Sequence, residues 1–171
     1  MSFSKSVVVI DTSILCVWLK VPGLETCGPD NDRWDFVRVN EKIQRQIKAG
    51  SILILPLATI IETGNHIAQA NCKRFPLAEK LGDIMSKAAE AESPWAAFSE
   101  QAAQWSPENL KKISKQWPLL AAQKLSIGDA TIKAVAEYYF VMGCEVLLLT
   151  GDQNLAAHQP SPPTLTPRRR K

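Results

Sequence analysis

No apolar run in the chain approaches the about 18 residues that a membrane span needs. The stretch from Val7 to Leu19 comes nearest, and Asp11 interrupts it. A membrane-spanning helix is therefore not expected. Only Lys5 stands before that stretch as a basic residue, and no small-residue cleavage site follows, so no signal peptide is expected. Cysteine and histidine are sparse. Cys16, Cys27, Cys72 and Cys144 lie far apart, none in a C-x-x-C pair, and the histidines are His66 and His158. That argues against a zinc site and fits reduced, inert thiols in a cytoplasmic protein. An excess of one charge is missing too. The 20 basic and 17 acidic residues leave a net +3, and four of the positive charges are Arg168 to Lys171. Taking these four from +3 leaves a body at −1. A strongly basic nucleic-acid-binding domain is not what this composition shows. Any RNA contact has to come from a local patch, from the tail, or through metal ions.

What is present is apolar material for one core. At 171 residues, 46% hydrophobic and 22% charged, the chain suits one globular domain. Val7–Ile10 reads as a short buried strand, and "TSILCVWL" as a helix. "KVPGLETCGPDND" reads as a loop, and "RWDFVRVNEKIQRQIKAG" as an amphipathic helix with Trp34, Val37, Ile43 and Ile47 on its apolar face. "SILILP" is a second strand and "TIIETGNHIAQA" a helix. Three helical stretches follow: "PLAEKLGDIMSKAAEAE", "SPWAAFSEQAAQW" and "SPENLKKISKQW". The last two open on Ser-Pro, a helix-start signal. "SIGDATIKAVAEYYFVMG" is a helix, "CEVLLLT" a third strand and "GDQN" a turn. Residues 1–158 read as one domain and 159–171 as a Pro-rich basic tail, expected to be disordered or loosely docked. Strands separated by helices predict an α/β fold with a central, mainly parallel sheet and helices on both faces. In such sheets ligands bind beyond the carboxyl ends of the strands.

Several acids fall near that edge. Asp11 ends strand one, Asp152 follows strand three, and Glu62 lies early in the helix after strand two. Asp129 lies early in the helix leading to strand three, and is expected at the same edge only if the intervening helices reposition the chain. Each has a purely structural explanation. Asp11 can cap a helix. Thr59-x-x-Glu62 and Ser126-x-x-Asp129 read as capping boxes or close variants. Asp152 can be a turn residue. Together, acids near strand ends and helix starts point further, because clustered carboxylates repel and call for cations. Oxygen donors select Mg²⁺ or Mn²⁺, which suit phosphodiester hydrolysis.

Four stretches carry a resemblance in their order and strand context: "VVVIDTSIL" with Asp11, "LPLATIIE" with Glu62, "LSIGDATIKAVAEYY" with Asp129, and "VLLLTGDQNL" with Thr150 and Asp152. From Ser6 to about Ala157 the chain resembles the PIN-domain family, which includes the VapC-like toxin ribonucleases. The resemblance implies a three-layer α/β/α PIN-like fold and a Mg²⁺- or Mn²⁺-dependent endoribonuclease. It implies that Asp11, Glu62, Asp129 and Asp152 are both catalytic and metal-binding, with Thr12, Ser13 and Thr150 in support. It further implies an RNA substrate and, in VapC-like members, a cognate antitoxin protein of a type II toxin–antitoxin pair and a homodimer. The chain departs from compact toxins in a longer stretch between Asp11 and Glu62 and a longer helical region before Asp129. It also has Asn154 where some relatives carry a further acid; Asn can bind a metal through its carbonyl but brings no charge.

Asn65 and His66, three and four residues after Glu62, can share its side of a helix and orient a phosphate or water, or simply lie on the surface. Arg168–Lys171 can contact RNA phosphates or an acidic partner, or be a solvated tail. A catalytically inactive PIN-fold module that binds RNA or protein is the competing expectation; the complete acidic quartet argues against it. An aspartate-nucleophile phosphatase would need a second acid two residues after Asp11, where Ser13 stands.

Overall fold

Val7, Val8, Val9 and Ile10 are all buried, with successive side chains on opposite faces of one strand. A strand buried on both faces needs layers on both sides. The computed structural model, which describes residues 5–162, supplies them. Strand β1 (Lys5–Ile10) pairs in parallel with β2 (Ile52–Ile54) on one side and β3 (Cys144–Leu149) on the other, in the order β2-β1-β3. The register sets Val8 opposite Leu53 and Leu147.

Helices α1 (Thr12–Leu19), α2 (Phe36–Lys48), α3 (Leu57–Gln69) and α4 (Arg74–Ala89) bring apolar side chains to the face carrying Val8, Ile10 and Leu53. The opposite face, with Val7, Val9, Val146 and Leu148, is covered by α6 (Ile127–Val141) through Ile132, Val135, Ala136 and Tyr139. Helix α5 (Pro107–Ala122) contributes Leu120 to that layer. The fold is thus mixed α/β, a three-stranded parallel sheet between helices. Full burial of each large aliphatic side chain stabilises by about 1.5–3 kcal/mol, which anchors β1 firmly between the two layers.

Several expectations are corrected. Residues 93–105 do not form an α-helix. Trp95 bridges to Leu53 instead, with Leu53 N–H donating to Pro94 O at 2.8 Å and Ala96 N–H to Leu53 O at 2.9 Å. Only Phe98–Trp105 coils, as a 3-10 segment. Backbone pairing with the sheet thus outweighs the Ser-Pro start signal at Ser93, whereas at Ser106 the same signal opens α5. Val37 is 60% exposed and Val39 takes its place in the core, because Val39, Ile43 and Ile47, four residues apart, share one face of the helix and Val37 lies off it. The "GDQN" turn closes into a short helix, α7 (Gln153–Ala156), capped by Asp152. Thr59 caps nothing: α3 starts after Pro56 with no side-chain cap, and the Thr59 hydroxyl donates to Ile10 O at 2.8 Å. The tail expected from residue 159 lies outside the described residues beyond Pro162. Before that, Gln159 is docked: it accepts from Leu148 N–H at 2.7 Å and donates to Val146 O at 2.5 Å.

The placement of Asp129 needs no repositioning. Helix α6 leads through Met142 and Gly143 straight into β3. A helix that packs against its following strand runs antiparallel to it, so its first turn stands at the carboxyl edge.

Candidate active site at the carboxyl edge of the sheet

Asp11 is the first residue past β1 and is only 3% exposed. It both caps α1 and faces a cavity at this edge of the sheet. Its Oδ2 accepts from Ser13 Oγ at 2.6 Å, from Ser13 N–H at 3.3 Å and from Thr150 Oγ1 at 2.8 Å. Those donors are themselves anchored. Ser13 Oγ accepts from Gly151 N–H at 3.0 Å, and Thr150 Oγ1 accepts from Asp152 N–H at 2.9 Å. Asp11 N–H donates to Leu149 O at 3.0 Å. The ends of β1 and β3 are thereby locked around one carboxylate.

Glu62, on the second turn of α3, accepts from Thr12 Oγ1 on Oε2 at 2.9 Å. Its other oxygen lies against Gly128 at the start of α6; a Cβ at Gly128 would overlap Glu62 Oε1. Asp129 forms the reciprocal capping box expected from the sequence, accepting from Ser126 N–H on Oδ2 at 2.9 Å while its own N–H donates to Ser126 Oγ at 3.0 Å. Asp152 accepts from Asn154 N–H on Oδ1 at 2.7 Å.

All four acids, with Thr12, Ser13 and His66, line one cavity of about 350 Å³. Among the described residues, no three His, Cys, Asp or Glu side chains are gathered closely enough to close on an ion as they stand. The acids surround the cavity rather than meeting at a point. Thr150 lies behind Asp11. Asn154 is exposed and contributes its backbone N–H to Asp152, and Asn65 is exposed on α3, away from the cavity wall that His66 joins.

The electrostatics follow from crowding. Burial pushes the Asp11 carboxyl above its ordinary 3.8; the Ser13 and Thr150 donors pull it back, and the Asp129 charge pushes it up again. Burial likewise raises Glu62 above 4.5, the Thr12 hydroxyl lowers it, Asp129 and Asp11 raise it, and His66 lowers it slightly. Oxygen donors gathered around one partly buried cavity are a set that a hard divalent cation would relieve, so the residues present fit Mg²⁺ or Mn²⁺ chemically.

Cys16 and Cys27, which the sequence offers only as inert thiols, also line the cavity. Burial pushes the Cys16 thiol up to about 11 and also raises Cys27. Both therefore stay protonated near neutral pH while no metal is bound. Cys27 is brought in by the loop after α1, where it pairs with Trp34, its N–H donating to Trp34 O at 3.0 Å. Its Sγ packs on Gly151, where a Cβ would overlap it. The glycine of "TGDQN" leaves room there for another chain segment, without indicating which segment fills it.

Comparison with protein-family models, with curated proteins and with solved structures gives no match.

Proposed function

We propose that the chain is a PIN-like, Mg²⁺- or Mn²⁺-dependent endoribonuclease. The observation that supports this most is the convergence of Asp11, Glu62, Asp129 and Asp152, from four separate segments, on one cavity at the carboxyl edge of a parallel sheet. A cation held by these four carboxylates would neutralise charge on the scissile phosphate and acidify an attacking water. The chain's own residues prepare that site. Ser13 and Thr150 fix Asp11 Oδ2, Thr12 fixes Glu62 Oε2, and the Ser126 amide fixes Asp129 Oδ2. In each case one oxygen is held by a local donor, which orients the carboxylate as a unit. The hydroxyls are neutral, so they orient charge without cancelling it.

The toxin of a toxin–antitoxin pair is the biological setting that the motif order supports, with an antitoxin partner and a homodimer as its corollaries. Purified protein with Mn²⁺ should cut RNA, chelation with EDTA should stop it, and Asp11→Asn should reduce cutting to background. Asn keeps an acceptor for Ser13 and Thr150 while removing the charge. Retained cleavage in that variant would remove Asp11 from the mechanism. Calorimetry would separate this reading from a non-catalytic module: the nuclease site should bind Mn²⁺ and lose the binding in Asp11→Asn, and an absence of Mn²⁺ binding would favour the module.

A further inference from the structure

The near-neutral body leaves open how a polyanion would be gripped, and α2 offers an answer. Arg38, Lys42 and Arg45 stand at i, i+4 and i+7, on one face of the helix. They cover about 10 Å of its axis at about 1.5 Å per residue. With Trp34 they line a groove of about 430 Å³ whose other wall is Leu147–Thr150, the end of β3. Glu41 is the acid in that lining.

Arg38 is held in place: its guanidinium lies 3.8 Å from the Trp34 ring centroid, pairs with Asp32 at 2.6 Å and donates to Arg33 O at 2.8 Å. Lys42 and Arg45 have no acid within ion-pair distance among the described residues. The groove adjoins the acid cavity at Thr150, which lines the groove and donates to Asp11 from behind that cavity.

We propose that this groove binds the phosphates of single-stranded RNA next to the bond to be cut. The inference rests on the nuclease reading of the acid cavity and adds the surface that presents the strand to it. Unpaired cations on a rigid helix suit phosphate oxygens, and a stacked Trp–Arg pair suits an unpaired base. A carboxylate-rich polypeptide would meet the cations equally, but its path past Thr150 would run into four acids with no phosphodiester for them to act on.

The test is binding of a short, mixed-sequence single-stranded RNA in EDTA, measured against salt, alongside cleavage with Mn²⁺. Lys42→Gln/Arg45→Gln should weaken binding about tenfold or more and flatten the log–log salt slope by about 1.4, at about 0.7 per phosphate. With Mn²⁺ it should raise KM and leave kcat nearly unchanged. Lys42→Arg/Arg45→Lys should bind as wild type. Lys111→Gln/Lys115→Gln on the exposed face of α5 removes the same charge elsewhere and should change neither slope nor KM. An unchanged slope in Lys42→Gln/Arg45→Gln, or an equal loss in the α5 control, overturns the groove while leaving cleavage to stand or fall by itself. Displacement of the RNA by polyglutamate at equal charge concentration also overturns it. Groove-dependent RNA binding without any Mn²⁺-dependent cutting upholds the groove and overturns the nuclease.

Discussion

The two ends of the sheet carry cavities of opposite character. At the amino end, Lys5, Ser51 and Cys144 open onto a space of about 760 Å³, roughly twice the volume of the acid cavity. Its walls include Trp95, Tyr138 and Tyr139, and its carboxylate, Glu100, accepts from Tyr139 Oη at 3.1 Å. At the carboxyl end the space is smaller, yet four acids share it, and two of them are raised, first by burial and further by the charges of their neighbours. Volume alone would favour the amino end. What separates the two is unbalanced charge: one end pairs its acid with a phenol, and the other leaves carboxylates facing one another. Stored repulsion of that kind marks sites where a cation or a reaction is wanted.

The sharpest way to break this contrast is Gly128→Ala. A methyl there must displace the Glu62 carboxylate, whereas alanine favours the helix itself by up to about 1 kcal/mol. Mn²⁺-dependent cutting should fall about 100-fold or more while Tm holds or rises. A parallel loss of Tm would mean that the glycine serves packing rather than the acid.

The next effect concerns pH and metal together. Asp11 and Glu62 have folded-state pKa values raised above 3.8 and 4.5. The stability they contribute is full below those values and is lost as pH rises through the raised ones. Metal-free protein should therefore gain in Tm from Asp11→Asn, and the gain should grow from about pH 4 to pH 7. Mn²⁺ at a hundred times its Kd should restore about 2.7 kcal/mol to wild type at pH 7 and little at pH 4. Thermal scans across pH would show either pattern, and a pH-independent gain would contradict the stored repulsion.

Thr150→Val keeps the shape and removes the hydroxyl that serves both Asp11 and Asp152 N–H. About 1–3 kcal/mol of stability should be lost, and Asp11, with one donor fewer, should titrate higher still. The acid limb of the pH–rate profile should move up; an unmoved limb would deny Asp11 a role in setting it. Tyr139→Phe at the other end should be the mildest, about 1 kcal/mol in urea unfolding with cleavage unchanged. Any loss of cutting there would couple the two ends.

How much of this was legible depends on whether the signal was local. Strand β1, the Asp11 cap and the Ser126–Asp129 box are written in adjacent residues and are found as read. Ser93 and Ser106 carry the same start signal, and only the second opens a helix, because the first lies where the backbone can pair with Leu53. That competitor is 40 residues away and leaves no local trace. Thr12 holding Glu62, Gly128 yielding to it and Cys27 pressed on Gly151 are likewise contacts between distant segments. The acids were legible as a set through their order along the chain; their supporting glycines were not, since a glycine advertises freedom rather than the neighbour that uses it.

The docked amide of Gln159 bears on how the chain can associate. It fills donor and acceptor positions on the outer rim of β3 as a neighbouring strand would, and residues 94–96 do the same for β2. Both margins of the sheet are thus partly sealed by the chain's own backbone and side chains. A second sheet edge could add to either margin only by displacing these groups.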